Sequence, residues 1–224
     1  MAGSPEDMDN LKKKLKRKQS WLDEHVNDPY VKQARKEGYR SRAVYKLQEI
    51  NARDKLLYPG MTVVDLGAAP GGWSQLAAKI IGAKGRIFAL DVLPMEPLEG
   101  VEFIQGDFQE QHVLDKMLHL MNGRKANLVI SDMAPNITGM NVIDQPRAMY
   151  LSELALDFSR QVLVRGGDLV IKVFQGAGFD RFIQDLRQSF ARVVIRKPKA
   201  SRPRSRECYV VARNYHSYQN HIVT

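Results

Sequence analysis

VVDLGAAPGGWSQ, residues 63–75, is the stretch of sequence that decides the fold. Its apolar beginning predicts a short buried strand, and an apolar helical repeat starts at Trp73. The turn between them contains Gly67, Gly71 and Gly72, which accept backbone angles closed to other residues and let a ligand approach the main chain. Because ligands of open α/β sheets bind beyond the carboxyl ends of the strands, this turn predicts a nucleotide-type cofactor site. The stretch lacks both GxGxxG and GxxxxGKS/T, which disfavours ATP, GTP and, less strongly, NAD.

Strand-like and helix-like segments alternate along the rest of the chain. The strand segments are 62–66, 85–92, 101–107, 126–134, 166–174, 191–198 and 207–214. Helices are predicted between most of them, so the sheet is mostly parallel and covered on both faces. The last two strands are joined only by KASRPRSR, residues 199–206, and should pair as a hairpin. We therefore predict one Rossmann-like α/β domain with a seven-stranded sheet in which one strand is antiparallel.

Length and composition indicate a single domain in a reducing compartment. The chain has 224 residues, 44% of them hydrophobic, and no apolar run near the ~20 residues that span a bilayer. Residues 1–20 carry charges without an apolar stretch, so we interpret them as a disordered basic tail and not as a secretory signal. Residues 21–224 form the predicted domain, with 21–58 as a helical appendage. The single cysteine, Cys208, excludes an intrachain disulfide and is interpreted as a buried apolar filler in a cytoplasmic protein.

Basic charge is concentrated in two clusters. The net charge is +9, and six basic residues lie in each of the segments 11–18 and 196–206. Clustered positive charge is the electrostatic signature of a nucleic-acid partner, and a merely solvated surface is the alternative. The side chains expected to hold RNA phosphates are Arg40, Arg42, Lys197, Arg202 and Arg204. The appendage is therefore predicted to bind RNA.

Two carboxylates follow predicted strands beside the glycine-rich turn. Asp91 ends the second strand, where an acidic side chain typically accepts hydrogen bonds from ribose hydroxyls. Asp107 follows the third strand and could meet an adenine amino group. Either one alone would more often be a loop or cap residue, but together they indicate an adenosine-bearing cofactor bound without phosphate contacts, a description that S-adenosylmethionine fits. Trp73 lies either in the core or against this cofactor.

Four charged residues are candidates for the chemistry: Lys46, Asp132, Lys172 and Glu207. Lys172 interrupts the apolar strand DLVIKVF, where a charge is costly unless it is paired or used chemically. Asp132 ends the fourth predicted strand, and Glu207 begins the last one. Adjacent or near-adjacent strands should bring Asp132 and Lys172 together. Unrelated surface charges are the alternative for Lys46 and Glu207.

Six motifs give the chain a resemblance to the FtsJ-type RNA 2′-O-methyltransferases: SRAVYKL, VVDLGAAPGGWSQ, LVISDMAPN, PRAMYLSELAL, VIKVFQG and SRPRSRECYVVA. It runs from about Trp21 to Arg213 and is close to the branch that methylates a uridine of bacterial large-subunit ribosomal RNA. It implies a Rossmann-like methyltransferase domain that uses S-adenosylmethionine and acts on ribosomal RNA within the large subunit; we expect a monomer without a metal. The family's Lys-Asp-Lys-Glu tetrad corresponds to the four charged residues above. The implied cofactor residues are Gly71, Trp73, Asp91, Asp107 and Asp132, and Gly67, Gly72 and Phe108 are further candidate cofactor contacts.

The resemblance also implies roles for the tetrad. A ribose hydroxyl has to be aligned with the activated methyl group and helped to lose its proton. Lys172 would be either the base or the group that orients the hydroxyl. A free lysine ammonium loses its proton only near pH ~10.4. Lys172 could act as a base only if burial and the cation Lys46 lower its pKa more than the carboxylates of Asp132 and Glu207 raise it. Asp132 would position Lys172 and touch the cofactor, while Lys46 and Glu207 orient the ribose.

Three other functions stay open as alternatives. The substrate could be transfer RNA or a capped messenger RNA, since nothing in the tetrad separates these targets. The chain could also be a catalytically inactive assembly protein that binds ribosomal RNA. A nicotinamide oxidoreductase is disfavoured because GxGxxG is missing.

Overall fold

The computed structural model describes residues 27–135, 138–202 and 205–216. The predicted tail, residues 1–20, lies outside these ranges, as does Arg204. The helices are α1 (Pro29–Lys36), α2 (Val44–Asp54), α3 (Gly72–Ile81), α4 (Gln111–Met121), α5 (Asn141–Val162) and α6 (Phe179–Ser189). The strands are β1 (Thr62–Leu66), β2 (Arg86–Asp91), β3 (Val101–Gln105), β4 (Ala126–Ser131), β5 (Leu163–Phe174), β6 (Phe190–Arg196) and β7 (Glu207–Tyr215).

The seven strands form one sheet in the order β3-β2-β1-β4-β5-β7-β6. β1 to β5 pair in parallel, and β7 is antiparallel to both of its neighbours, β5 and β6. The predicted fold, with seven strands and one antiparallel strand, is confirmed. The strand order reverses between β1 and β4, and in such sheets the crevice at the carboxyl ends of these strands is where ligands bind.

Helices cover both faces of the sheet. Successive side chains along a strand point to opposite faces, so each buried strand contributes apolar side chains to a core on either side. Val64 and Leu66 of β1 face a core cluster that α4, α5 and α6 complete. Val63 faces the second cluster, to which α1, α2 and α3 contribute. Within the segment predicted as an appendage, α2 buries Leu47 and Ile50 in that cluster.

Several element boundaries differ from the predicted ones for local reasons. β4 ends at Ser131, and Asp132 lies just beyond it, with its backbone N–H donating to the Leu66 carbonyl oxygen. α5 starts six residues earlier than predicted. The Asp144 carboxylate accepts hydrogen bonds from the backbone of Thr138 and Gly139, which fixes the turn ahead of this helix. Within the described ranges, none of the helices combines the length and apolarity needed to cross a bilayer.

Candidate active site

Strand alternation brings Lys172 and its partners to one face of the sheet. Lys172 on β5 shares a face with Val170 and pairs in register with Tyr209 on β7. Its side chain is only 8% exposed, and its Nζ lies 3.1 Å from Asp132 Oδ1 and donates to the Asp132 carbonyl oxygen. The charge that interrupts the apolar strand is therefore paired, as the cost of burying an isolated ammonium requires.

A second ion pair completes the tetrad. Lys46, in the first turn of α2, places its Nζ 2.8 Å from Glu207 Oε1 at the start of β7. Both side chains are largely buried, at 13% exposure each. The structure thus brings the four predicted residues together as two lysine–carboxylate pairs, Lys172–Asp132 and Lys46–Glu207.

Tyr209 links the two pairs, and the sequence reasoning missed it. Its hydroxyl donates to Asp132 Oδ1 at 2.6 Å, and Lys46 Nζ lies 5.5 Å from the centre of its ring. The available signal was the period of two along β7, which places Tyr209 on the same face as Glu207.

The electrostatics of the site keep both carboxylates ionised. Burial opposes ionisation of Asp132, but Lys172, Lys46 and the Tyr209 hydroxyl outweigh it, and the pKa of Asp132 lies below its ordinary value. Burial likewise opposes ionisation of Glu207, and Lys46 outweighs it, so the pKa of Glu207 is lowered. Burial and then the Asp132 charge raise the pKa of Tyr209 well above its ordinary value. At neutral pH the site therefore holds two carboxylates and a neutral phenol.

A cavity of about 400 Å³ opens at the carboxyl ends of β1, β2 and β4, and we call it the first cavity. Among the predicted cofactor residues, Gly67, Asp91, Asp107, Phe108 and Asp132 line it. The Asp91 carboxylate accepts from the backbone N–H groups of Ala69 and Leu93, which fixes its direction. The charged side chains among its described lining residues are all acidic, so the cavity suits a cation and lacks the cationic groups that bind phosphates.

Gly67 closes one wall of the first cavity. Its φ is +77°, and a Cβ there would lie 2.7 Å from Met133 Cγ and 2.9 Å from the Met133 nitrogen. Both the backbone angle and the close approach exclude a larger residue at this position.

Gly71, Gly72 and Trp73 lie against the segment before α2. A Cβ at Gly71 would lie 3.0 Å from Arg40 Nη1, and one at Gly72 would lie 2.5 Å from Ser41 Oγ. These two glycines let the segment before α2 close over the turn. Trp73 is 3% exposed, and its Nε1 donates to the Ala43 carbonyl oxygen. The first turn of α3 places the Trp73 side chain in the second core cluster, and its predicted contact with the cofactor stays a prediction.

Three of the basic residues predicted to hold RNA phosphates are committed to contacts within the chain. Arg40 donates to the carbonyl oxygens of residues 96 and 97 at 2.7 and 2.8 Å. Arg42 bonds the Asp28 carboxylate and the carbonyl oxygen of residue 200. Lys197 donates to the carbonyl oxygens of residues 205 and 207. These hydrogen bonds tie the loops around the site to other parts of the chain, and the RNA contacts of the three side chains stay predictions.

A second cavity, of about 530 Å³, lies on the other side of the tetrad. Its described lining residues are Arg42, Ala43, Lys46, Ala134, Lys172, Phe174, Arg202, Ser205 and Glu207. Ala134 borders both cavities, and the Asp132–Lys172 pair has one partner in each. Arg202, a predicted RNA contact, stands at this cavity. The tetrad therefore forms the boundary between two cavities, where a group can pass from a ligand in one to a ligand in the other.

Asp65 is a buried ionisable residue that the sequence reasoning did not single out. It lies in β1 with no exposed surface, its Oδ2 accepts from Ser74 Oγ at 2.6 Å, and its Oδ1 has no hydrogen-bond partner in the described part of the chain. Burial raises the pKa of its carboxyl to about 7, with smaller contributions from Asp132 and Asp91 and against the Ser74 hydrogen bond. The same signal that revealed Lys172, a charge inside an apolar strand, was present in VVDL.

Comparison with known proteins identifies the family. The model of the FtsJ-like methyltransferase family matches residues 39–215. A protein named ribosomal RNA large subunit methyltransferase E from Stutzerimonas stutzeri is 58% identical over 203 residues, which cover 91% of this chain and 98% of that protein. The protein of the same name from Marinobacter nauticus is 60% identical over 195 residues, covering 87% and 94% of the two chains.

A solved structure agrees with the fold. The crystal structure of a protein described as a ribosomal RNA methyltransferase from Plasmodium falciparum superposes with a TM-score of 0.72 at 27% sequence identity, and the match covers 80% of this chain and all of that one. The predicted resemblance and the prediction of a methyltransferase are confirmed. The six motifs, the seven-stranded sheet and these comparisons together establish that the chain belongs to the FtsJ-like methyltransferase family.

Proposed function

We propose that the protein transfers a methyl group from S-adenosylmethionine to a ribose 2′-hydroxyl of large-subunit ribosomal RNA, with a uridine as the target. The observation that carries this proposal is the position of the Lys172–Asp132 pair on the boundary between the two cavities. The names of the similar proteins from Stutzerimonas and Marinobacter support ribosomal RNA of the large subunit as the substrate.

The chemistry of the first cavity fits S-adenosylmethionine. Asp91 already accepts two backbone hydrogen bonds, and an ionised carboxylate has further lone pairs with which to accept from ribose hydroxyls. Asp107 Oδ1 accepts from the backbone N–H of Gln109 at 2.9 Å, while its Oδ2 has only a long contact of 3.4 Å from Gln109 Nε2 and keeps a lone pair for an amino group. Phe108 gives an apolar wall, and the acidic lining attracts a sulfonium cation.

The bound cofactor supplies an activated methyl group, and the protein's own residues align the acceptor. Lys172 Nζ is held between the Asp132 carboxylate and carbonyl oxygens. From this position it donates a hydrogen bond to the 2′-oxygen and fixes its direction. The hydroxyl becomes acidic as its oxygen takes the methyl group, and its proton leaves to water in the second cavity. Lys46 and Glu207 hold the neighbouring ribose hydroxyl, and the second cavity keeps the nucleotide in place. Most of the rate enhancement then comes from alignment.

Replacing Lys172 tests this assignment. Lys172→Ala should abolish methylation and leave S-adenosylmethionine affinity unchanged, because the side chain faces the second cavity. Large ribosomal subunits from cells lacking the protein are incubated with labelled cofactor, the methylated ribose is mapped, and cofactor binding is measured by calorimetry. Lys84→Ala, an exposed lysine after α3, is the matched control. Near-normal turnover of Lys172→Ala would contradict the proposal.

The same assay separates the alternative targets. Label on transfer RNA but not on large subunits would move the substrate to transfer RNA, and label on neither would favour an inactive assembly protein. Action on ribosomal RNA also places the protein in the cytoplasm. The monomeric state that we propose is checked by light scattering.

A further inference from the structure

Phe174 is an aromatic side chain in a cavity that is otherwise lined by polar groups and small residues. Among the described lining residues of the second cavity it is the one aromatic ring. It lies two residues after Lys172, on the same face of β5, and pairs in register with Glu207. The ring therefore stands beside two members of the tetrad.

Phe174 does not serve the hydrophobic core. It is half-buried, whereas Val173 before it is 1% exposed, and it belongs to neither of the two core clusters nor to the residues packed against them. A phenylalanine at the end of a strand that packs against no core cluster is free to bind a ligand from the cavity.

The backbone around Phe174 is held from two sides. The Gln145 side chain, from α5, donates from Nε2 to the carbonyl oxygens of Phe174 and Ala177 at 3.1 and 3.3 Å. The backbone N–H of Gln175 donates to the Arg206 carbonyl oxygen. A Cβ at Gly176 would lie 2.8 Å from Gln145 Cδ, so the glycine leaves room for the Gln145 side chain to make these hydrogen bonds. These hydrogen bonds hold the backbone that carries the Phe174 ring in place.

The covalent structure of a nucleotide places its base near this ring. The base is attached to C1′, next to the carbon that carries the 2′-hydroxyl, so a hydroxyl at Lys172 puts the base in the same cavity. We propose that the Phe174 ring stacks on the base of the target nucleotide, an inference that rests on the proposed function of the site. Single-stranded and splayed-out RNA bases are commonly held by aromatic side chains in this way.

Stacking has a consequence for selectivity. Every base has a π-face, so an aromatic platform holds a nucleotide without choosing its identity. Phe174 therefore fixes the position of the target nucleotide, and the choice of which nucleotide is modified comes from contacts outside this ring.

The kinetic test compares substitutions at Phe174 with a matched core substitution. Losing a base–aromatic stack weakens binding by about 5- to 150-fold, and since leucine keeps part of the contact we expect Phe174→Leu to raise the KM for large subunits by about tenfold. Phe174→Trp should stay within about twofold of wild type. Neither change should alter S-adenosylmethionine affinity. Phe190→Leu, in the core remote from the cavity, should lower the Tm without changing this KM. A wild-type KM in Phe174→Leu, equal losses in the leucine and tryptophan variants, or a parallel loss of cofactor affinity would overturn the proposal.

A binding experiment tests the stack without turnover. The affinities of uridine 5′-monophosphate and ribose 5-phosphate are compared by saturation-transfer NMR in wild type and Phe174→Leu. The nucleotide should bind wild type more tightly than the sugar phosphate, and the difference should disappear in the variant. Equal binding of both probes to wild type refutes the stack even if methylation proceeds, whereas absence of methylation with a base-dependent affinity difference refutes only the proposed function.

Discussion

Asp65→Asn is expected to change how the stability of the protein depends on pH. Burial raises the pKa of this carboxyl to about 7 from an ordinary 3.8, so the folded protein keeps a proton that the unfolded chain has already released. Between these two pH values folding takes up a proton, and stability falls as the pH rises. Asparagine is neutral throughout and abolishes this dependence at the site.

The expected size follows from the two pKa values. Each pKa unit corresponds to about 1.36 kcal/mol. The rise from 3.8 to about 7 therefore means that the free energy of unfolding of the wild type falls by at most about 4 kcal/mol across this pH range. In Asp65→Asn the NH₂ group takes the place of the Asp65 oxygen that has no partner in the described part of the chain. A buried NH₂ without an acceptor lowers the free energy of unfolding by about 1–3 kcal/mol at every pH. Asp65→Asn should therefore be less stable than wild type near pH 4 and equal or more stable above pH 7.

Urea unfolding, followed by tryptophan fluorescence from pH 4 to 8, measures this difference. The free energy of unfolding of Asp65→Asn minus that of wild type should rise through the window and level off above pH 7. Asp115→Asn, on an exposed position of α4, controls for the substitution itself and should differ from wild type by less than about 1 kcal/mol. A difference for Asp65→Asn that is flat across the pH range would refute the reasoning.

Three further substitutions test the assignments of the site. Arg42→Ala should lower the free energy of unfolding by about 3–5 kcal/mol in urea titrations, because it breaks a largely buried ion pair; a loss confined to RNA affinity would speak against this bracing role. Gly67→Ala should weaken S-adenosylmethionine binding roughly tenfold in calorimetry, since a Cβ forced against Met133 costs about 1–3 kcal/mol. An unchanged Kd would show that the first cavity is not the cofactor site. Tyr209→Phe deletes the hydrogen bond to Asp132, and single-turnover methylation should slow by about 10- to 100-fold, for a charge-assisted bond of about 1.5–3 kcal/mol; equal rates would show that the hydroxyl plays no part.

The sequence predicted the parts of the site that depend on strand pattern. Lys172 was visible as a charge inside an apolar strand, and the alternation of strands and helices was enough to predict the sheet and its one antiparallel strand. The resemblance supplied Lys46 and Glu207, whose pairing needs α2 and β7 to meet across the sheet. Such a long-range meeting has no local signature.

Arg40, Arg42 and Trp73 make contacts within the chain that the sequence did not predict. Arg40 and Arg42 find their acceptors in loops far along the chain, and Trp73 turns to the core because the segment before α2 passes over α3. A basic or aromatic residue looks the same in sequence whether it faces RNA or a distant carbonyl. Asp65 differs, since its signal, an acidic residue inside the apolar strand VVDL, was local.

The late position of β7 in the chain has a consequence for protein synthesis. This strand inserts between β5 and β6, and it carries both Glu207 and Tyr209. A nascent polypeptide that has already emerged through β6 holds the cofactor turn, Lys46, Asp132 and Lys172, but lacks the partner of Lys46 and the hydroxyl that holds Asp132. The proposed site therefore stays incomplete until β7 has been synthesised and has paired between β5 and β6.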